Sequence, residues 1–499
     1  MGVGTRPGAG TLDRVESSTA PMNVDVAIVG AGPAGASAAT LLARAGRSVL
    51  LIDKATFPRD KCCGDGLTAG ALRRLESLGL DPADVPSWEW VDDVMLVGPK
   101  GRAITFPLPR SQGHFSAVAS RVDLDSALVD LAVEAGAIPR FGVSVTAAVQ
   151  HRSSVVLTVG DTLVSAQHVL AADGMWSPMR KFLSGGASAA SSAGSSSSAV
   201  ASRSTSSVTE SRTPYLGEWH AMRQYYGNVH TPESRKLWIW FEPDIIPGYV
   251  WCFPLADGRV NLGFGIERNA DVKTKTMKAL WASLADRPHI RAVLGADAVA
   301  EDEVKAWPIP ADITHATLSD GRVLFIGDAA RACDVLTGEG IGQAIQTGSY
   351  AAEAILSADS RGGSRDSHSS LNSLGTTLNP KVVSNKPLVQ VPATIELPSP
   401  LTNPATSIID DATIAATSAH YDQAVRSHLG PDHRMASTLQ RMMRSEAICR
   451  GSLAISGSTN WTRSNFARWL FEDYARGIAL TPRRWKRGLM SGPGAYLNK

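Results

Sequence analysis

The stretch Val26-Ala27-Ile28-Val29-Gly30-Ala31-Gly32-Pro33-Ala34-Gly35 decides the fold. Its four leading apolar residues read as a strand buried on both faces. They run into a GxGxxG loop, and the small residues of Ala36–Ala45 read as the helix that follows. Gly30 permits the tight turn, Gly32 lets backbone amides approach a pyrophosphate, and Gly35 lets helix and strand pack closely. Pro33 and Ala34 sit at the helix N-terminus, where free N–H groups and the helix dipole favour an anion. A second strand, Ser48–Ile52, ends at Asp53 and Lys54, and Asp53 lies 18 positions beyond Gly35. That spacing reaches a ribose hydroxyl. The chain therefore opens with a Rossmann-like dinucleotide-binding unit.

Composition sets the bounds around this unit. The chain has 499 residues, 43% hydrophobic and 19% charged, which is enough apolar material for a sizeable core. A net charge of +2 lacks the electrostatic footprint of a nucleic-acid binder, so no nucleic-acid partner is expected. Twelve Trp outnumber eight Tyr and eleven Phe, which hints at an aromatic-lined cavity or a membrane-facing rim. Five Cys without a CxxC pair argue against a disulfide scaffold, and no metal-ligand spacing is present. No apolar run reaches the length of a bilayer span, and residues 1–21 lack the apolar core of a signal peptide. The expected location is the cytoplasm.

The coarse order of elements follows. Residues 1–21, the Ser-rich stretch 184–211 and the Ser/Asn/Pro/Thr-rich stretch 359–412 are expected to be disordered. Helices are expected at Leu67–Leu78, Asp123–Ala135 and Ile341–Leu356. Strand patterns recur at Leu237–Phe241, Tyr249–Phe253 and Val260–Ile266, with Asp257-Gly258 as a hairpin turn. The expected domains are a discontinuous cofactor domain (22–83, 113–183, 312–357), a substrate domain (84–112, 212–311) and a helical C-terminal region (413–499).

Two later segments choose the dinucleotide. Leu324-Phe325-Ile326-Gly327-Asp328-Ala329-Ala330 resembles the second fingerprint of the glutathione-reductase-type FAD fold, where the Asp binds near the ribityl chain. Leu170-Ala171-Ala172-Asp173-Gly174 resembles the Asp-Gly motif of group A flavoprotein hydroxylases. Three ordered motifs point to FAD. A second strand-preceded GxGxxG is absent, so NADPH would dock transiently, or a reduced protein would donate electrons.

Three further segments narrow the family. Phe57-Pro58-Arg59-Asp60-Lys61-Cys62-Cys63-Gly64-Asp65-Gly66-Leu67 resembles the FPRDKPCGxGL segment of the geranylgeranyl reductase family, with Cys62 in place of its Pro. Tyr249-Val250-Trp251-Cys252-Phe253-Pro254, followed by Gly263-Phe264-Gly265, resembles that family's YxWxFP…GxG signature. Thr337-Gly338-Glu339-Gly340-Ile341 resembles its loop beside the flavin ring. The fold implied is α/β: a Rossmann-like glutathione-reductase-type FAD-binding domain, an antiparallel-sheet substrate domain and a helical C-terminal region.

The resemblance implies an FAD-dependent oxidoreductase acting on CH–CH groups. Such enzymes saturate double bonds of geranylgeranyl or polyprenyl lipids, with a hydride from reduced flavin and a proton on the other carbon. An unactivated alkene offers no carbonyl to polarise, so alignment and exclusion of water carry the chemistry. Cofactor residues implied are Gly30, Gly32, Pro33, Ala34, Gly35, Asp53, Lys54, Cys63, Gly64, Arg121, Asp173, Asp328, Gly338, Gly340 and Ile341. Cys63, Tyr249 and Trp251 are the catalytic candidates. Cys63 would tune the ring or assist protonation, or else be a small buried apolar residue. A vicinal Cys62–Cys63 disulfide is an open alternative. Tyr249, Trp251 and Phe253 alternate at period two and share one strand face, the expected wall of an apolar tunnel. Pro254 belongs to the same signature, and Trp238 and Trp240 alternate likewise and would extend the wall. The partner expected is an isoprenoid lipid. The basic–aromatic clusters Asn465–Phe471 and Arg483–Arg487 suit peripheral contact at the inner face of the cell membrane. Two readings compete. One is an FAD-dependent monooxygenase on an aromatic or polyketide substrate, and the other is a flavoprotein scaffold acting through its inserts.

Overall fold

The structure is a computed structural model that describes residues 21–183, 215–268, 274–362, 409–471, 477 and 492–499. The stretches expected to be disordered, and the Arg483–Arg487 cluster, lie almost wholly outside the described residues. At the edges of one such stretch, helix Ile341–Gly362 runs past residue 359 and helix Asp411–Met443 begins before residue 412.

The first sheet grows from the opening motif. Met22–Val29 lies between Thr162–Ala171 and Val49–Asp53, all parallel. Ile138–Phe141 continues the parallel set beyond Val49–Asp53, and Val323–Phe325 does so beyond Thr162–Ala171. Antiparallel strands Val145–Gln150 and Val155–Val159 attach to Thr162–Ala171. Val26, Ile28, Leu51 and Leu170 have almost no exposed surface. They form one core with helices Pro33–Arg44, Arg121–Glu134 and Ile341–Gly362. Burial on both faces is what keeps a parallel sheet out of water.

The second sheet lies across the first domain's cavity. Its order is Val299–Ala300, Trp219–Gly227, Arg259–Glu267, Tyr249–Leu255, Leu237–Trp240, Asp93–Val97, Ala103–Pro107, with Lys305–Ile309 also paired to Trp219–Gly227. The Asp257-Gly258 turn joins Tyr249–Leu255 to Arg259–Glu267, and both turn residues have positive φ. The sheet is not wholly antiparallel as expected. Leu237–Trp240 pairs in parallel with Asp93–Val97, a strand contributed from far earlier in the chain. Helices Thr274–Ala285 and Pro288–Leu294 cover one face, with Phe264, Trp281, Val293 and Leu294 in the core between.

The C-terminal region is helical over Asp411–Met443, Glu446–Ser456 and Asn460–Leu470. Phe466 packs on Phe106 of the second sheet, with ring centroids 5.2 Å apart. Residues 492–499 return to the first domain. Ala495 bridges His114, and the buried Tyr496 donates its hydroxyl to the Leu80 carbonyl at 3.0 Å.

Candidate functional site

A cavity of about 1120 Å³ runs from the glycine-rich loop to the inner face of the second sheet and on to the C-terminal helices. Gly30, Gly32, Pro33 and Ala34 line one end, with Asp53, Lys54, Arg121 and Asp173 around them. Gly35 does not face this space. A Cβ there would stand 1.9 Å from the Gly30 carbonyl oxygen, so its role is the close helix–strand packing read from the motif. At Gly32 an added Cβ would lie 3.5 Å from an Arg59 guanidinium nitrogen and 3.8 Å from one of Arg121. Two cations thus flank the backbone at the helix N-terminus, the donor set a pyrophosphate needs.

Acidic groups hold this cradle in shape. Asp53 accepts the backbone N–H groups of Ala31 and Ala55 at 2.8 and 2.9 Å while lining the cavity. Asp125 accepts two Arg121 nitrogens at 2.7 Å and faces Arg59 at 3.1 Å. Asp173 Oδ2 accepts Met179 N–H at 2.8 Å, and its buried Oδ1 has no partner among the described residues. Burial pushes the Asp173 carboxyl up to about 6. Asp328 meets Lys61 at 2.9 Å. Its burial would raise its pKa, but the Lys61 charge and hydrogen bond outweigh that and hold it below the usual carboxylate range. Gly338, Gly340 and Ile341 line the cavity beside Asp328.

Cys63 and Gly64 stand where the cradle meets the second sheet. Both Cys62 and Cys63 are free thiols, so no vicinal disulfide forms. Burial pushes Cys62 up to about 12 and raises Cys63 as well, although the Arg121 charge and the Asp65 N–H, which donates to the Cys63 sulfur at 3.4 Å, oppose the rise at Cys63. Both therefore carry their protons at neutral pH.

The aromatic wall is set by strand register. Trp251 pairs with Ile239 on one side and Gly263 on the other, and Ile239 pairs with Leu96. Tyr249 pairs with Gly265, which pairs with Ala221, which pairs with Trp307. Leu96, Ile239, Trp251, Tyr249, Ala221 and Trp307 all line the cavity, as does Phe253. The Trp251 indole lies across Gly263, where a Cβ would come within 2.2 Å of the ring. Tyr249 donates its hydroxyl to the Thr337 carbonyl, tying the wall to the Gly338 loop.

The same register corrects the expectation for Trp238, Trp240 and Pro254. Trp238 is in line with Cys252, and Trp240 with Val250. These residues belong to the opposite face, where the two tryptophans stack at 5.2 Å in the core under helix Thr274–Ala285. Their neighbours Leu237, Ile239 and Phe241 reach the cavity instead. Pro254 is adjacent to Phe253 and so also points away from the cavity. In the Asn465–Phe471 cluster, Phe466, Trp469, Leu470 and Phe471 line the cavity.

A buried polar network behind Cys63 was not expected. Tyr225 donates its hydroxyl to Asp65 Oδ2 at 2.6 Å. Asn261 donates to Asp65 Oδ2 and to the Cys63 carbonyl, both at 2.8 Å, and accepts Trp251 Nε1–H at 3.0 Å. Arg223, fully buried, donates to Asp60 at 2.7 Å. This network joins the Phe57–Leu67 segment to the sheet. Burial pushes the Asp65 carboxyl up to about 6, against the lowering by Tyr225 and Asn261.

A parallel sheet with a glycine-rich cradle, an Asp after the distal strand and a long apolar cavity defines a flavoprotein of the glutathione-reductase fold. Residues 23–370 match the FAD binding domain family. The menaquinone reductase of Mycobacterium tuberculosis is 34% identical over 372 residues, covering 68% of this chain and 78% of that one. Digeranylgeranylglycerophospholipid reductase 2 of Methanopyrus kandleri is 30% identical over 349 residues, covering 68% and 78%. A geranylgeranyl bacteriochlorophyll reductase-like protein of Thermoplasma acidophilum superposes with a TM-score of 0.65 at 17% identity, covering 93% of this chain and all of that one. The halogenase PltM, solved with phloroglucinol and FAD, superposes at 0.56 with 14% identity, covering 92% and 84%, and shares the fold. This chain belongs to the geranylgeranyl reductase family of FAD-dependent oxidoreductases. FAD is its cofactor, and the paired cations at Gly32 and the unpartnered oxygen of Asp173 fit it.

Proposed function

We propose that the protein saturates isoprenoid double bonds of a geranylgeranyl or polyprenyl lipid. The observation that carries this reading is the continuity of the cavity. The FAD cradle and the apolar wall of Leu96, Ile239, Tyr249, Trp251 and Phe253 are one space. When bound and reduced, FAD supplies the hydride. The protein residues do the rest. Tyr249 and Trp251, locked by Thr337 and Asn261, press the chain into line and exclude water. Cys63 holds a proton at the junction of cradle and wall, on the path to the alkene carbon that does not receive hydride. Electrons come from NADPH or from a reduced protein donor. The protein works in the cytoplasm in peripheral contact with the inner face of the membrane. Five unpaired cysteines suit that compartment. Among the described residues no helix is long and apolar enough to cross a membrane.

The test is lipid mass spectrometry. FAD-loaded protein with a chemical reductant is expected to add two hydrogens per double bond reduced. No mass gain across geranylgeranyl phospholipids and menaquinone would overturn the reading.

A further inference from the structure

A helix packed on a soluble protein ordinarily turns charged side chains to water. Helix Glu446–Ser456 turns only one such pair outward, Glu446 and Arg450, which meet each other at 3.3 Å. Its inner face buries Cys449 and Leu453. Its outer face carries Ala447, Ile448, Ser452, Ala454 and Ile455, all exposed and none charged. At Gly451, on the same helix, an added Cβ would meet nothing within 4 Å. Ile448 and Ile455 are seven positions apart, two turns along one stripe. Ile455 is 73% exposed and Ile448 39%. The elements on either side add Met442 at 46% and Trp461 at 69%. Four large apolar side chains exposed within twenty residues form a patch of the kind that marks a contact surface.

Two further observations choose the occupant. Met442 and Ile448 are exposed and also line the cavity, so the patch is continuous with the cavity's rim. The surrounding charge is mainly cationic. Between Ser437 and Leu470 there are five arginines and one acid, Glu446; Arg450 pairs with Glu446 and Arg444 with Glu267, so the excess rests on the other three. Arg441 and Arg444 are exposed beside Met442, and Arg463 follows Trp461. An apolar stripe with an aromatic at its end and a cationic border is the composition of a helix lying in the headgroup layer of an anionic bilayer.

We propose that helix Glu446–Ser456, with Met442 and Trp461 beside it, seats the protein on an anionic membrane surface. In that position the rim of the cavity opens at the depth of the acyl chains. A lipid tail then enters the cavity without crossing water. This rests on the reading of the substrate as an isoprenoid lipid.

The experiment measures cosedimentation with vesicles, either pure phosphatidylcholine or phosphatidylcholine with phosphatidylglycerol. The variants are Ile455→Asp and Trp461→Asp, neither of which lines the cavity. Wild-type protein is expected to bind the anionic vesicles at least tenfold more tightly than the neutral ones, with binding weakened by salt. Each variant is expected to lose tenfold or more of that affinity. FAD content, melting temperature and turnover of a short detergent-dispersed isoprenoid should stay unchanged. Vesicle binding needs no turnover, so its loss or retention is read separately from any failure of the reductase reading. Equal binding by wild type and variants would overturn the proposal. So would a concentration-dependent wild-type dimer that Ile455→Asp dissociates, because a second copy would then cover the patch.

Discussion

Asp65 is a carboxyl held where an ionised group is costly. It is fully buried, one oxygen accepts from Tyr225 and Asn261, and the other has no partner among the described residues. Its pKa is raised from 3.8 to about 6. The folded state therefore keeps a proton that the unfolded chain releases between pH ~4 and ~6. Stability falls as pH rises through that window, and above it the loss is constant at roughly 3 kcal/mol. Asp65→Asn keeps the shape and removes the charge. Its stability relative to wild type is expected to rise by about 2.5 kcal/mol from pH 4 to pH 7, measured by urea unfolding at each pH. A flat difference would show that Asp65 is ionised in the fold. None of this network was legible from spacing, because Tyr225 and Asn261 lie about 160 and 200 positions from Asp65. What the FPRDKCCGDGL segment did show was a resemblance. The reason for Asp at that position emerges only when the sheet is laid against it.

At the scale of the element, period two identified the wall but not its extent. Tyr249, Trp251 and Phe253 share a face because they share a strand, and that much a sequence pattern carries. Trp238 and Trp240 alternate in the same way, yet which face they take depends on how their strand is registered against its neighbour. The pairing of Ile239 with Trp251 sends both tryptophans into the opposite core. A one-residue slip would reverse this. The C-terminal aromatics carry a similar lesson. Arg468 among Phe466, Trp469 and Phe471 looks interfacial in one dimension, while those three rings also line the cavity. The glycines opposite the wall are the counterpart of its bulk. Gly263 sits under Trp251 with no room for a Cβ. Gly263→Ala is expected to displace the indole and break its hydrogen bond to Asn261. Turnover should fall at least tenfold while flavin content stays near wild type. Unchanged kcat with a displaced indole would remove Trp251 from the aligning role.

At the scale of the molecule, the cavity is assembled from residues 29 to 471 of the chain. The glycine loop, the Asp173 turn, the Asp328 turn and the sheet wall meet around one ligand volume. FAD then acts as a linkage ligand that binds only the folded state. At a thousand times its Kd it stabilises by about 4 kcal/mol. Stripping FAD is expected to lower the melting temperature, and adding it back should restore it in a concentration-dependent way. A melting temperature indifferent to FAD would mean that the cradle does not bind it. The cofactor domain was largely legible in advance because its strand–loop–helix signals are local. The meeting of its segments with the C-terminal helices was not, since those contacts span most of the chain.

The cavity's lining comes from two sources with different obligations. The sheet wall is bound to the flavin loop through Tyr249 and Thr337, and to the Cys63 segment through Asn261. The helices from Asp411 onward contribute Leu439, Met443, Leu453, Phe466 and Trp469 to the same space, while the groups that tie the wall to the flavin loop and the Cys63 segment come from elsewhere in the chain. Changes on the helices can therefore alter the length and girth of the chain accepted without disturbing the reacting end. Descendants of such a scaffold can diverge in the lipid they select while inheriting the chemistry intact. For protein engineering, those helices are the place to retune selectivity first.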